Sequence, residues 1–263
     1  MSRLDRAFAE LAGRPALIPF VMAGDPDAAS SGALLEAAAA AGDVLEVGVP
    51  FSDPIADGPT IQRAAQRALA GGTTLASVLD LVRDLRRASD RPVVLLTYLN
   101  PIFQRGVERF CRDAREAGVD GVVVPDLPAD EADFLIAPAR EADLDTIFLV
   151  APTTSEERLR MAGERSRGFV YCVSLTGVTG ARAGVPEIEA LVRRVKASTT
   201  RPVCVGFGIS TPGQVAAVGR LADGVIVGSA LIDLVERTGA DAPRAVGDFL
   251  RQIAAALPSR RPA

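Results

Sequence analysis

LEVGVPFSDPIADGP, residues Leu45 to Pro59, sets a glutamate inside a short apolar run and follows it with a loop. Asp53 and Asp57 lie in that loop, which Pro50, Pro54, Gly58 and Pro59 punctuate. The run Val44–Val47 reads as a buried strand, so Glu46 faces the penalty of several kcal/mol that attends an isolated buried charge. A carboxylate at the end of a buried strand, with a polar loop after it, is a candidate general acid or base. A satisfied structural carboxylate is the competing reading.

Outward from this stretch the same unit recurs. Short β-branched runs are expected at Leu17–Met22, Val44–Val47, Val93–Thr97, Gly121–Val124, Thr146–Val150, Phe169–Val173, Pro202–Phe207 and Gly224–Val227. Segments of helical period fall between them: Ala28–Ala41, Thr60–Ala70 with Leu75–Ala88, Val107–Ala117 and Glu131–Ala142. The series continues with Ser155–Glu164, Glu187–Ala197, Pro212–Arg220, then Ala230–Glu236 with Pro243–Leu257. Gly42, Gly71-Gly72 and Gly118 read as left-handed helix stops. Thr211-Pro212 and Ser155 read as helix starts.

Eight strand–helix units in about 250 residues match the count of a closed (β/α)8 TIM barrel. Near-continuous apolar strands suit parallel strands covered on both faces. An open doubly wound sheet also alternates, but no Gly-x-Gly-x-x-Gly follows the first strand. No linker or composition shift divides the chain. The expected fold is one α/β domain spanning residues 1–263, with an extra helix in MSRLDRAFAELAG at the N-terminus and a frayed tail at 258–263.

Composition restricts the chemistry. The 263 residues include no histidine and a single lysine, Lys196, among 29 basic side chains. An imidazole base and the commonest metal ligand are therefore absent, and Lys196 sits in the polar-faced segment Val192–Ala197, poorly placed for a Schiff base. Asp, Glu, Tyr, Ser, Thr and Cys remain, and proton transfer by carboxylates is the default expectation. Cys111, Cys172 and Cys204 form no Cys-x-x-Cys pair, and such an odd set of apolar-flanked thiols fits a reducing cytoplasm. A net charge of −4 without a basic patch argues against nucleic acid. No apolar run approaches the ~20 residues of a membrane span.

In a barrel, active groups come from the C-terminal strand ends and the loops after them. There the sequence places Asp25, Glu46, Asp57, Tyr98, Asn100, Asp126 and the run YCVSLTGVTG from Tyr171 to Gly180. Asp25 and Asp126 serve equally well as turn residues. Gly206-Phe207-Gly208 and Gly228-Ser229 follow the last two strands and lead toward a short helix. Glycine-led backbone N–H groups at a helix start suit a phosphate. The long glycine-bearing loop Ser174–Pro186 suits a lid.

On these residues the chain resembles the tryptophan synthase alpha-subunit family, from about Arg3 to Leu257. PFVMAGDP, LEVGVPFSDPIADGP, YCVSLTGVTG, VGFGIS and IVGSA stand in the family's order. Met22 and Leu175-Thr176 vary side chains without removing a functional position. The resemblance implies a barrel with no cofactor of its own that cleaves indole-3-glycerol phosphate to indole and glyceraldehyde 3-phosphate. It also implies a partner beta subunit, in an α2β2 assembly, that holds pyridoxal phosphate and consumes the indole. Glu46 and Asp57 would be catalytic. Phe20 and Tyr171 would shape the indole pocket, and Gly180, Phe207, Gly208, Gly228 and Ser229 would hold the phosphate. Thr179 would close over Asp57, while Asp53, Pro54 and Gly177 would communicate with the partner. A free-standing indole-releasing lyase, a phosphate-barrel isomerase or epimerase, and a noncatalytic interaction subunit remain as alternatives.

Overall fold

In the computed structural model, which describes residues 1–173, 185–206 and 208–259, the apolar runs pair side by side as parallel strands. They are β1 (Ala16–Met22), β2 (Leu45–Gly48), β3 (Val93–Leu96), β4 (Gly121–Val123), β5 (Asp145–Ile147), β6 (Leu149–Val150), β7 (Val170–Val173), β8 (Val203–Gly206) and β9 (Gly224–Val227). Their order, β5-β4-β3-β2-β1-β9-β8-β7-β6, begins and ends on two pieces separated only by Phe148. The ring thus has the eight staves of a (β/α)8 barrel. The expected strand Thr146–Val150 is divided because the Phe148 N–H donates to the Ser166 hydroxyl, at 3.2 Å, while its carbonyl accepts from Tyr171 on the next strand.

Helices wrap the ring: α1 (Arg3–Glu10), α2 (Ala28–Ala41), α3 (Pro59–Ala70), α4 (Leu75–Leu85), α5 (Leu99–Arg105) and α6 (Val107–Ala117). After these come α7 (Asp133–Glu141), α8 (Glu156–Arg165), α9 (Val185–Ser198), α10 (Pro212–Gly219), α11 (Ser229–Thr238) and α12 (Ala242–Ala256). Helix α5 stands where the sequence pattern predicts no helix, between Val93–Thr97 and Val107–Ala117. Pro101 falls in the first turn, where its missing N–H leaves no bond unmade, and Asp126 accepts from the Leu99 N–H at 3.0 Å. Gly118 ends α6 in the left-handed region as expected, at φ +96°. Gly42 does not; its backbone is extended, and a Cβ there would meet the Pro19 ring at 2.6 Å. Close packing, rather than turn chemistry, selects that glycine. No helix among the described residues is long and apolar enough to cross a membrane.

Strand alternation creates two cores. Leu17, Leu45, Val47, Val93, Leu95 and Val225 face the helices. Ile18, Val44, Val94, Val123, Phe169, Tyr171, Cys204 and Ile226 fill the barrel, and Leu4 of α1 packs with them to close its N-terminal end. At that end Asp43, Asp120 and Asp223 repeat one device. Each accepts an N–H at the start of a neighbouring stave, from Leu17, Val93 and Val203 respectively, at 2.8–2.9 Å. Backbone donors at the closed end are thereby satisfied by side chains, and the opposite, C-terminal end is left for chemistry.

Candidate active site

Glu46 lies between inward-facing Val44 and Gly48 on β2, so its side chain enters the barrel. It is 1% exposed. Oε2 stands 3.5 Å from the Tyr171 hydroxyl across the barrel, and Oε1 has no hydrogen-bond partner. Burial pushes its pKa up to about 8; the Tyr171 hydrogen bond opposes that rise and the charge of Asp57 adds to it. At 3.5 Å the bond is long and weak, which leaves desolvation dominant. A carboxyl that changes protonation near neutrality can both give and take a proton.

Asp57 reaches the mouth from the loop after β2. That loop is tightened by Ile55 N–H to Asp53 O at 2.9 Å and Asp57 N–H to Pro54 O at 3.1 Å. Tyr98, at the end of β3, anchors it from beneath. Its hydroxyl accepts from the Ala56 N–H at 3.0 Å and favours the ionised Asp57 carboxylate, and its ring stacks on Phe51 with centroids 5.2 Å apart. Burial raises the Asp57 pKa to about 6, with the Tyr98 hydrogen bond opposing. The sequence pattern places Tyr98 at the mouth but assigns it no role in the site; a phenol closing an apolar strand, one loop away from the aspartate, is the signal for one.

Phe20 pairs in register with Glu46 on adjacent strands. Its ring occupies the space beside two glycines: a Cβ at Gly48 would come within 2.7 Å of it, and one at Gly228 within 3.5 Å. Tyr171 lies likewise against Gly206, where a Cβ would meet its hydroxyl oxygen at 2.8 Å. Through these contacts Glu46 joins the ends of β8 and β9 around one opening. Gly228 is the N-cap of α11 and supplies no side-chain bond; its carbonyl takes the Leu231 N–H at 2.8 Å, and the Ser229 and Ala230 N–H groups before it have no side-chain cap. Those donors and the positive end of the helix dipole suit an anion. Gly208, at φ +59°, is exposed, and a Cβ there would meet nothing within 4 Å.

The remaining candidates divide. Asp53 is exposed and takes a hydrogen bond from Ser52; Pro54 is half-buried beside it. Asp25 is 1% exposed and held by Arg67, and Asp126 caps α5, so both have structural partners. Asn100 is exposed on α5. Phe207, Gly177, Thr179 and Gly180, with the lid segment 174–184, lie outside the described residues. The described residues contain no group of three or more His, Cys, Asp or Glu able to hold a metal. Cys111, Cys172 and Cys204 are free, buried thiols.

A closed parallel barrel with two carboxylates of raised pKa at its C-terminal mouth, and a glycine-led helix start beside them, has the make-up of a (β/α)8-barrel lyase. The family model of the tryptophan synthase alpha chain matches residues 7–256. The chain belongs to that family. It is 51% identical to the tryptophan synthase alpha chain of Geobacter sulfurreducens over 262 residues, 98% of this chain and 99% of that one. It is 54% identical to that of Prochlorococcus marinus over 245 residues, covering 92% and 87%. Among solved structures, tryptophan synthase of Mycobacterium tuberculosis superposes with a TM-score of 0.91 at 42% identity, covering 97% of this chain and 98% of that chain. A structure described as a tryptophan synthase complex from Pyrococcus furiosus gives 0.86 at 39%, covering 92% and 99%.

Proposed function

We propose that Glu46 and Asp57 carry the lyase reaction of this alpha chain, the retro-aldol cleavage of indole-3-glycerol phosphate to indole and glyceraldehyde 3-phosphate. The observation that carries the assignment is the buried Glu46 carboxyl with one oxygen free of protein partners. Protonated Glu46 delivers its proton to the third carbon of the indole ring. The resulting positive charge spreads to the ring nitrogen, whose N–H donates to ionised Asp57. Glu46, now a carboxylate, removes the proton of the hydroxyl on the adjacent side-chain carbon. The carbon–carbon bond breaks, its electron pair returns to the ring, and the former carbinol becomes the aldehyde. Glu46 ends protonated by the hydroxyl's proton while the one it gave leaves on the third carbon of indole, so the cycle closes without an external acid or base.

Phe20 and Tyr171 flank the indole in this reading. Gly208, Gly228 and Ser229 hold the phosphate, together with Gly180 and Phe207. Thr179 closes over Asp57. General acid–base work supplies about 10² to 10⁴-fold, and orientation and fixed dipoles supply the remainder. The steps as written call for no metal or organic cofactor in this chain, and its compartment is the cytoplasm.

The partner is a tryptophan synthase beta chain, holding pyridoxal phosphate and joined in an α2β2 assembly. Asp53, Pro54 and Gly177 belong to the segments that meet it or respond to it. The exposed large apolar side chains support a docking face at the barrel mouth. Ile55, Phe103 and Phe134, at 82%, 52% and 41% exposed, follow three successive staves, and the last two stack with centroids 5.4 Å apart. Apolar groups gathered in this way mark interaction surfaces.

The test is indole release from indole-3-glycerol phosphate, with and without a beta chain, by the parent chain and Glu46→Gln. The parent is expected to cleave, faster with the partner, and the variant to bind substrate without turning it over. Near-parental turnover by Glu46→Gln would remove Glu46 from the chemistry, and no cleavage by the parent with its partner would leave a noncatalytic subunit.

A further inference from the structure

Helix α3 begins two residues after Asp57, and α11 begins beside Gly228. Arg67 stands eight residues into α3, about 12 Å along its axis, and its guanidinium joins three elements. Nε and Nη2 grip the two oxygens of Asp25 at 2.6 and 3.0 Å. Asp25 is 1% exposed and lies three residues past the end of β1. Nη1 reaches Glu236 of α11 at 3.2 Å. One turn earlier Arg63 makes further ion pairs to α11, with Glu236 at 3.1 Å and Asp233 at 3.6 Å.

Beneath this ionic edge Ala64, Ala65 and Ala68 of α3 pack with Phe20 and Met22 of β1 and Ile232 of α11. Three alanines bring the helix axis close, with no long side chain to absorb a shift. Each element in this unit carries one part of the site: the Asp57 loop leads into α3, Phe20 belongs to β1, and Gly228-Ser229 opens α11.

We propose that Arg67 is a positioning residue which, by clamping the end of β1 and α11 to α3, sets the separation between the acid–base loop and the phosphate-binding helix start. The proposal rests on the phosphate assignment given above. Arg67 touches neither reacting atom nor phosphate; it acts through Asp25 and Glu236. Only a planar fork can hold both carboxylate oxygens of Asp25 while a third nitrogen reaches α11, so lysine is a poor substitute.

The experiment measures calorimetric binding of glycerol 3-phosphate to the full chain and, with a beta chain present, steady-state cleavage of indole-3-glycerol phosphate. Arg67→Met, Arg67→Lys and Glu236→Gln are compared with the parent at a temperature where circular dichroism shows each folded. Arg67→Met is expected to weaken glycerol 3-phosphate binding and raise KM by about tenfold, within the ~10²-fold that an ångström of misplacement can cost. Its kcat should change less than its KM. Arg67→Lys should fall between, and Glu236→Gln, which keeps the Asp25 pair, should shift binding in the same direction by less. A lowered melting temperature with unchanged Kd and KM would overturn the proposal, leaving Arg67 a stabilising residue only. If Arg67→Met does not fold, unchanged binding in both other variants overturns it equally. Failure of the parent itself to bind glycerol 3-phosphate would instead bring down the phosphate assignment and the clamp with it.

Discussion

The Tyr171 hydroxyl stands 3.5 Å from one carboxylate oxygen of Glu46 and leaves the other without a protein partner. The two side chains approach from opposite parts of the ring, β7 and β2, so their contact is a product of barrel closure. Glu46 is thus held at one oxygen, while the other is buried with its hydrogen-bonding capacity unused. Its protonation state is set by burial first and by Tyr171 second.

The proposed cycle starts from protonated Glu46 and ionised Asp57, whose pKa values are raised to about 8 and about 6. A plot of kcat/KM against pH should therefore be a bell with its maximum near pH 7, its limbs belonging to the interacting pair. In Tyr171→Phe the hydrogen bond that lowers the Glu46 pKa is gone, so the alkaline limb should move to higher pH while the acid limb stays. An unmoved alkaline limb would detach Tyr171 from the tuning of Glu46.

Tyr98→Phe should act on the other limb. The Tyr98 hydroxyl lowers the Asp57 pKa against burial, so its loss should carry the acid limb upward and narrow the bell. The Ala56 N–H also loses its acceptor. The pH profile distinguishes this from a general loss of activity, which would scale the bell without moving either limb.

Stability should oppose catalysis at Glu46. Its pKa in the folded chain, about 8, lies above the ordinary 4.5. Between those values the native state holds a proton that the unfolded chain releases. Stability contributed by this group consequently falls as pH rises through that window and is lowest above pH 8. Glu46→Gln carries no such charge, so it should unfold later than the parent, by on the order of a few kcal/mol at pH 9 and by little at pH 5. Thermal melts across pH measure the difference; a gap independent of pH would contradict a buried, neutral-leaning carboxyl.

Phe134→Ser should weaken the beta chain's hold. Removing one of two stacked, half-exposed rings from a docking face typically costs over 1 kcal/mol when the ring is an anchor, about tenfold in Kd. Cleavage by the alpha chain alone should be unchanged, while stimulation should need more beta chain. Titration of activity with the partner reads this directly, and an unshifted titration would place the docking face elsewhere.

Much of the site was legible because its chemistry is local. Glu46 could be singled out by one carboxylate within an apolar run, and Gly228-Ser229 by glycine before a helix. Other residues carry no such mark. Asp25 and Asp126 read as turn residues or as site residues with equal ease, and only their partners, Arg67 and the Leu99 N–H, decided the matter. Tyr98 could be put at the mouth, but its grip on Asp57 crosses between loops of adjacent staves. Helix α5 was hidden by Pro101, a breaker in a helix interior and harmless in a first turn.

By itself the sequence determined that this chain alternates eight times between strand and helix, that it holds no histidine and a single lysine, and which glutamate bears the burden of burial. Those properties follow from periodicity and composition, which are written along the chain. The tertiary structure alone decided that Phe148 interrupts one stave, that Tyr171 and Glu46 meet across the barrel, and that Arg67 binds three elements into one unit. Each of these depends on residues between 42 and 169 positions apart in the chain, or on where a backbone N–H finds its acceptor. Closing the ring creates such contacts, and no local pattern encodes them.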